Sequence, residues 1–185
     1  MSFWITIGVV VAIALYAISL YNKLVKNRQM VGEGWSGIDV QLKRRSNLIP
    51  NLLAAVKGYM SHEKDLLEDI TKMRANADGA QNANPEARAK AEGALSGGLL
   101  KLFAVMENYP ELKANENVMD FQNSLEEIED QIQMSRRYYN GAVRNMNVSV
   151  ESFPSNLIAN QFQFIKAEFF EIDSQHSREL PKVSF

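Results

Sequence analysis

Cysteine is missing from the 185 residues, which removes disulfides, thiolate metal sites and cysteine nucleophiles together. Histidine occurs twice, at His62 and His176, far apart in sequence. His62-Glu63 resembles half of a zinc-protease motif, but that motif needs a second histidine at position 66, which is Leu66. The acids form no Glu-x-x-His pair of the di-iron type. No glycine-rich phosphate loop occurs, and no serine or histidine stands in a nucleophile context. No catalytic residue, metal ligand or cofactor is therefore assigned, and the chain reads as non-enzymatic. A formal net charge of −2 gives no basic excess to draw nucleic acid. Proline is scarce, with five residues, which suits long helices with sharp stops. No segment alternates as a strand between hairpin turns.

Charge is also missing from the first stretch. Residues 2–21 read SFWITIGVVVAIALYAISLY. Twenty helical residues cover about 30 Å, the hydrocarbon thickness of a bilayer. A secretory signal would carry basic residues before its apolar run and small residues at its end. Here Lys23, Lys26 and Arg28 follow the run instead. By the positive-inside rule the N-terminus lies outside and the remainder in the cytoplasm. Residues 1–22 are thus expected to be a single transmembrane helix with the rest of the chain on its cytoplasmic side. Lys23, Lys26 and Arg28 are placed to attract anionic headgroups, each contributing about 1 kcal/mol.

Residues 23–34 are expected to connect the span to a helical domain over 35–175. Gly32 and Gly34 offer a bend there. From Trp35 a stripe steps by three and four through Ile38, Leu42, Arg45, Ile49, Leu52, Val56, Tyr59, Glu63, Leu66, Ile70 and Met73 to Ala77, the pattern of a helix burying one face. Pro50 lies inside it, so a kink is expected rather than a stop. The polar run over residues 75–84 reads as a loop. Asn84-Pro85-Glu86 reads as a helix start, with Ala91, Leu95, Leu99, Leu102 and Met106 on one face and Pro110 closing the helix. Gly97-Gly98 suggests close approach of another helix. Asn115 or Asn117 is expected to cap a third helix striped by Val118, Phe121, Leu125, Ile128, Ile132, Ser135, Tyr139, Ala142 and Met146. A fourth helix is expected from Ser155 to about residue 173, buried because five phenylalanines fall between Phe153 and Phe170. Residues 176–185 read as an extended tail. The fold class is all-α: a transmembrane helix followed by an antiparallel four-helix bundle with an extra-long first helix.

Arg45 and Glu63 are the charges in the first stripe. A buried charge requires a partner, so both are candidate buried polar residues, Arg45 pairing with an acid of the third helix. Phe153, Pro154, Leu157 and Ile158 form an apolar knot at a helix start and are the candidate interaction surface, whether by closing the core or by meeting a partner.

Several runs resemble the LemA family: WSGIDVQLKRRSNLIPNLL at 35–53, VKGYMSHEKDLLEDI at 56–70, YPELKANENVMDFQ at 109–122, RRYYNGAVRNMN at 136–147, FPSNLIA at 153–159 and PKV at 181–183. The resemblance implies one N-terminal membrane helix, N-terminus outside, and a cytoplasmic helical bundle, without an established chemistry. Gly37, Asn47 and Met146 depart from the Asp, Asp and aromatic residue frequent in that family.

Two functions follow as expectations. The first is a membrane-anchored scaffold that self-associates and organises or remodels membrane in envelope maintenance; its stripe, overrunning the shorter helices, would need cover from other subunits. Small residues at Gly8, Ala12, Ala14 and Ala17 would let spans meet. The alternative is an adaptor or sensor presenting the bundle to a membrane protease or signalling partner. The expected partners are the lipid bilayer, further copies of the chain and another membrane protein.

Overall fold

In the computed structural model, residues 1–171 are described. They form six helices and no strand: α1 (Ser2–Lys57), α2 (Lys64–Gly79), α3 (Pro85–Met106), α4 (Pro110–Lys113), α5 (Glu116–Glu151) and α6 (Ser155–Gln161). The chain divides into two compact units, one of residues 1–38 with 134–169, the other of residues 39–133 with Phe170. Most of α1 and α5 is shared out between the two.

In the first unit, the apolar run and the residues after it are one helix. The most apolar stretch of α1 has no buried residue; Phe3, Trp4, Val10 and Ile13 all lie open. Burial begins at Leu24 and continues through Asn27, Gly34 and Ile38, so the three-four stripe starts about three turns before Trp35. Facing it is α5, antiparallel: Trp35 and Tyr139 rings lie 5.4 Å apart, and Asn27 Nδ2 donates to Ser149 Oγ at 2.8 Å and to the Asn145 carbonyl at 3.3 Å. Gly32 and Gly34 do not interrupt the helix: both are interior to α1. Gly34 serves contact instead: a Cβ there would stand 2.9 Å from Tyr139 Cα.

The helix expected from Ser155 to about residue 173 starts there but stops early. α6 has seven residues and is closed by a double hydrogen bond, Phe164 N–H to the Ala159 carbonyl and Gln163 N–H to the Asn160 carbonyl, the Schellman arrangement. Gln163 takes the left-handed position at φ 56°. Glycine usually holds that position, so the sequence carries no stop signal there. The chain then returns along α5. Asn147 donates to the Ala167 carbonyl at 3.0 Å and accepts from Ala167 N–H at 2.8 Å; Tyr139 Oη donates to the Glu168 carbonyl at 2.8 Å. The expected burial of this segment is corrected as well. Phe164 and Phe170 are buried, but Phe153, Phe162, Ile165 and Phe169 are exposed.

The second unit holds a core of Ile49, Leu52 and Val56 of α1, Ile70 of α2, Leu95, Leu99 and Leu102 of α3, Leu112 of α4 and Val118 and Leu125 of α5. The helix expected over residues 35–77 is two helices. α1 stops at Lys57, turns through residues 58–63, and α2 folds back, so that Arg74 Nε reaches the Ser46 carbonyl at 2.8 Å and Ser46 Oγ donates to Asp78 at 2.7 Å. Buried Met60 pins the turn. The stripe ran on in phase because both arms face one core. Pro50 lies inside α1, as expected. The expected loop over 75–84 shrinks to the residues after Gly79. Pro110 does not close α3, which ends at Met106, but opens α4. Asn84 Oδ1 accepts from Ala87 N–H at 2.9 Å, and Asn115, rather than Asn117, accepts from Val118 N–H at 3.3 Å. The expected tail at 176–185, with His176, lies outside the described residues.

The glycine pair of α3 divides its roles. A Cβ on Gly98 would meet Met73 Sδ of α2 at 2.8 Å, while Gly97 faces open space. Gly97→Ala is therefore expected to stabilise the fold by about 1 kcal/mol, the helix-propensity difference, measured as a raised denaturation midpoint of the detergent-solubilised chain.

Candidate functional site

The second unit contains a buried polar cluster built from one charge that the stripe carried inward. Arg45 is 1% exposed. Its Nη1 donates to Ser96 Oγ at 2.6 Å and to Glu129; its Nη2 donates to the Glu92 carboxylate and, at 3.3 Å, to the Glu92 carbonyl. One guanidinium thus joins α1, α3 and α5. Beside it Arg88, also buried, pairs with Asp39. Glu92 is the buried acid of the group, and Glu129 sits at the rim with its side chain 38% exposed. Burial raises the Glu92 pKa, and this outweighs the lowering by Arg45 through charge and hydrogen bonding. A cleft of about 240 Å³ lies against the cluster, lined in part by Asp39, Asp78, Arg88 and Glu92.

The chemistry available there is that of a fork of hydrogen bonds meeting two carboxylates. The guanidinium is engaged on both terminal nitrogens, which ties α1 to α3 and α5 through a single side chain. Among the described residues, no group of three or more His, Asp or Glu stands close enough to share a metal ion.

Glu63, expected inside, is only half-buried. It stands just before α2 and accepts from Tyr109 Oη at 3.4 Å, away from Arg45. Sequence reading anticipated an acid of the helix that is now α5 and missed Glu92, Arg88 and Asp39. A signal for two of these was present. Stepping back from Met106, Leu102, Leu99 and Leu95 by alternating fours and threes reaches Glu92 and Arg88, whereas Ala91, chosen as more apolar, lies off the buried line.

The other predicted residues gather in the first unit, where α5 gives way to α6. Lys23, Lys26 and Arg28 are exposed on α1, and the Arg28 guanidinium lies 5.1 Å from the centre of the Phe164 ring. Tyr21, the last residue of the apolar run, stacks edge-on against Phe162 at 4.8 Å and Phe164 at 5.8 Å. The four residues of the apolar knot separate. Ile158 packs on Leu24, Met146, Ala159 and Phe164, and Pro154 is half-buried. Phe153 is 79% exposed and Leu157 59%.

These features define an all-helical protein whose N-terminal helix is long and apolar enough to cross a membrane. The sequence model of the LemA family matches residues 34–185, and the chain belongs to that family. It is 25% identical to magnetosome protein MamQ 2 of Paramagnetospirillum magneticum over 88% of this chain and 68% of that one. It is 25% identical to protein LemA of Metamycoplasma hominis over 81% of this chain and 68% of the other. It is 22% identical to magnetosome protein MamQ of Magnetospirillum gryphiswaldense over 81% and 64%.

Proposed function

We propose that this protein is a non-enzymatic, membrane-anchored scaffold that self-associates at the inner membrane and organises or remodels it in envelope maintenance. The observation that carries the reading is the state of α1. No residue of its most apolar stretch is buried by protein, yet the same helix continues unbroken to Lys57, past the buried Leu24, Ile38 and Ile49. A core helix would be covered on the side where this one is bare. Bare apolar surface of this length is stable in lipid and costly in water. The names of the relatives denote a cell structure or a family rather than a reaction, which supports a non-enzymatic role.

Self-association does not rest on an overrunning stripe, because Leu42, Ile49, Leu52 and Val56 are buried within the chain itself. It rests on the span, where Gly8 has open space around it and small residues let backbones approach.

The chain's lack of cysteine makes single replacements clean reporters. In intact cells, Ser2→Cys is expected to react with an impermeant maleimide, and Ser36→Cys only after permeabilisation; the opposite pattern overturns the orientation. Oxidation of Gly8→Cys in native membranes is expected to yield a disulfide-linked dimer. A protein that remains strictly monomeric with its span retained overturns the scaffold, and one abundant foreign adduct assigns it an adaptor role.

A further inference from the structure

Residues 152–165, SFPSNLIANQFQFI, carry no charge over fourteen positions, between Glu151 and Lys166. They hold α6 and its two flanking turns. Phe153 (79% exposed), Leu157 (59%), Phe162 (55%, one edge against Tyr21) and Ile165 (78%) leave large apolar surface open. Four large apolar side chains crowded onto so short a segment, with no charge among them, make a patch that water disfavours.

The place of this patch decides its occupant. α5 runs antiparallel to α1, with Tyr139 at the level of Gly34 and Ser149 at the level of Asn27, so its C-terminal end climbs toward the apolar run. The chain beyond it then meets Tyr21, through Phe162 and Phe164. Tyr21 closes a run whose ~30 Å helical length matches the hydrocarbon core, and tyrosine at such a position belongs to the interfacial layer. The uncharged segment is therefore held at the depth where headgroups meet acyl chains. Exposed Lys23 and Lys26 stand one turn further along α1, at the depth of anionic phosphates.

We infer that residues 153–165 form a foot that enters the headgroup boundary of the membrane α1 crosses, with Phe153, Leu157, Phe162 and Ile165 in contact with lipid. The inference rests on α1 being a span. Continuity with the span favours lipid over a second copy of the chain, since the same bilayer surface meets the foot in every copy. Side chains wedged into one leaflet beside each span expand that leaflet alone, a physical means by which an array of copies bends a membrane.

Spin labels at single cysteines, in the full chain reconstituted into phosphatidylethanolamine–phosphatidylglycerol vesicles at high lipid ratio, test this. Labels at Phe153→Cys and Leu157→Cys are expected to favour collision with oxygen over a water-soluble nickel chelate. That preference should approach the one at Val10→Cys in the span. A label at Ser36→Cys, about 22 Å beyond Tyr21 along α1, should favour the chelate. Both positions are exposed, so labelling removes no core contact. If Val10→Cys reads as lipid while Phe153→Cys and Leu157→Cys read like Ser36→Cys, the foot is overturned and the anchor stands. If both foot positions are shielded from both reagents, a second copy covers them and the lipid assignment fails. If Val10→Cys reads as aqueous, anchor and foot fall together.

Discussion

Arg45→Met is expected to cost about 3–5 kcal/mol of folding stability at neutral pH, the range for breaking a buried ion pair from one side. The loss does not come from missing attraction alone. Removing the guanidinium strands Glu92, which lies buried on α3 with its carboxylate turned toward the vacated place. Even with Arg45 present, burial holds the Glu92 pKa above its ordinary value. Without Arg45 the largest lowering influence is gone and the pKa rises further. A carboxyl whose folded-state pKa exceeds its unfolded one contributes stability below the unfolded value and loses it as pH rises through the folded value. The deficit of Arg45→Met is therefore smallest in acid and widens toward neutral pH. Denaturation of the full chain in detergent, followed by far-ultraviolet circular dichroism across that range, measures it. Replacing both partners, Arg45→Met with Glu92→Leu, is expected to recover most of the loss, because no uncompensated charge then remains inside. A double variant as unstable as the single one would show that Glu92 is not the source. A more stable Arg45→Met would show that this tie between helices does not stabilise the fold.

The cluster also shows where sequence reading succeeds and where it stops. Periodicity located Arg45, because a charge on an apolar stripe is visible in one dimension. Local chemistry gave the cap at Asn84 and narrowed the next to Asn115 or Asn117, of which Asn115 makes the bond. What neither could see was chain reversal. Residues 56–70 keep a single phase whether they form one helix or two arms folded on one core, and the turn after Lys57 is marked only by Gly58. The short α6 was hidden for a related reason. Phe162, Ile165 and Phe169 have helical spacing but are exposed on a non-helical segment, and the stop is made by Gln163 in a conformation usually signalled by glycine. Richness in phenylalanine implied burial on the assumption that water is the only solvent. Beside a bilayer that assumption lapses, and the same residues read as a surface.

Gly34→Ala is the sharpest test of the first unit, with an expected net loss of about 1–2 kcal/mol. Overpacking a closely fitted contact costs about 1–3 kcal/mol, and alanine returns up to about 1 kcal/mol of helix propensity. The new Cβ would stand 2.9 Å from Tyr139 Cα and 3.2 Å from its Cβ, atoms that no rotamer change moves. Trimming the tyrosine therefore makes no room, and Tyr139→Ala is expected not to rescue Gly34→Ala. Gly98→Ala offers the contrast. Its near neighbour, Met73 Sδ, is part of a flexible side chain that can swing aside, so that variant should lie near neutral. Gly32→Ala, with no atom within 4 Å, should gain about 1 kcal/mol from propensity alone. Together the variants separate two explanations of the glycines after the span. Were they there to bend the chain, both alanines would act alike by stiffening it. Because α1 runs unbroken through both and only Gly34 meets α5, the effects at 32 and 34 should have opposite sign. Thermal denaturation of the two variants in detergent decides it: equal shifts in the same direction would return the bend to Gly32 and Gly34 and take the close contact away from Gly34.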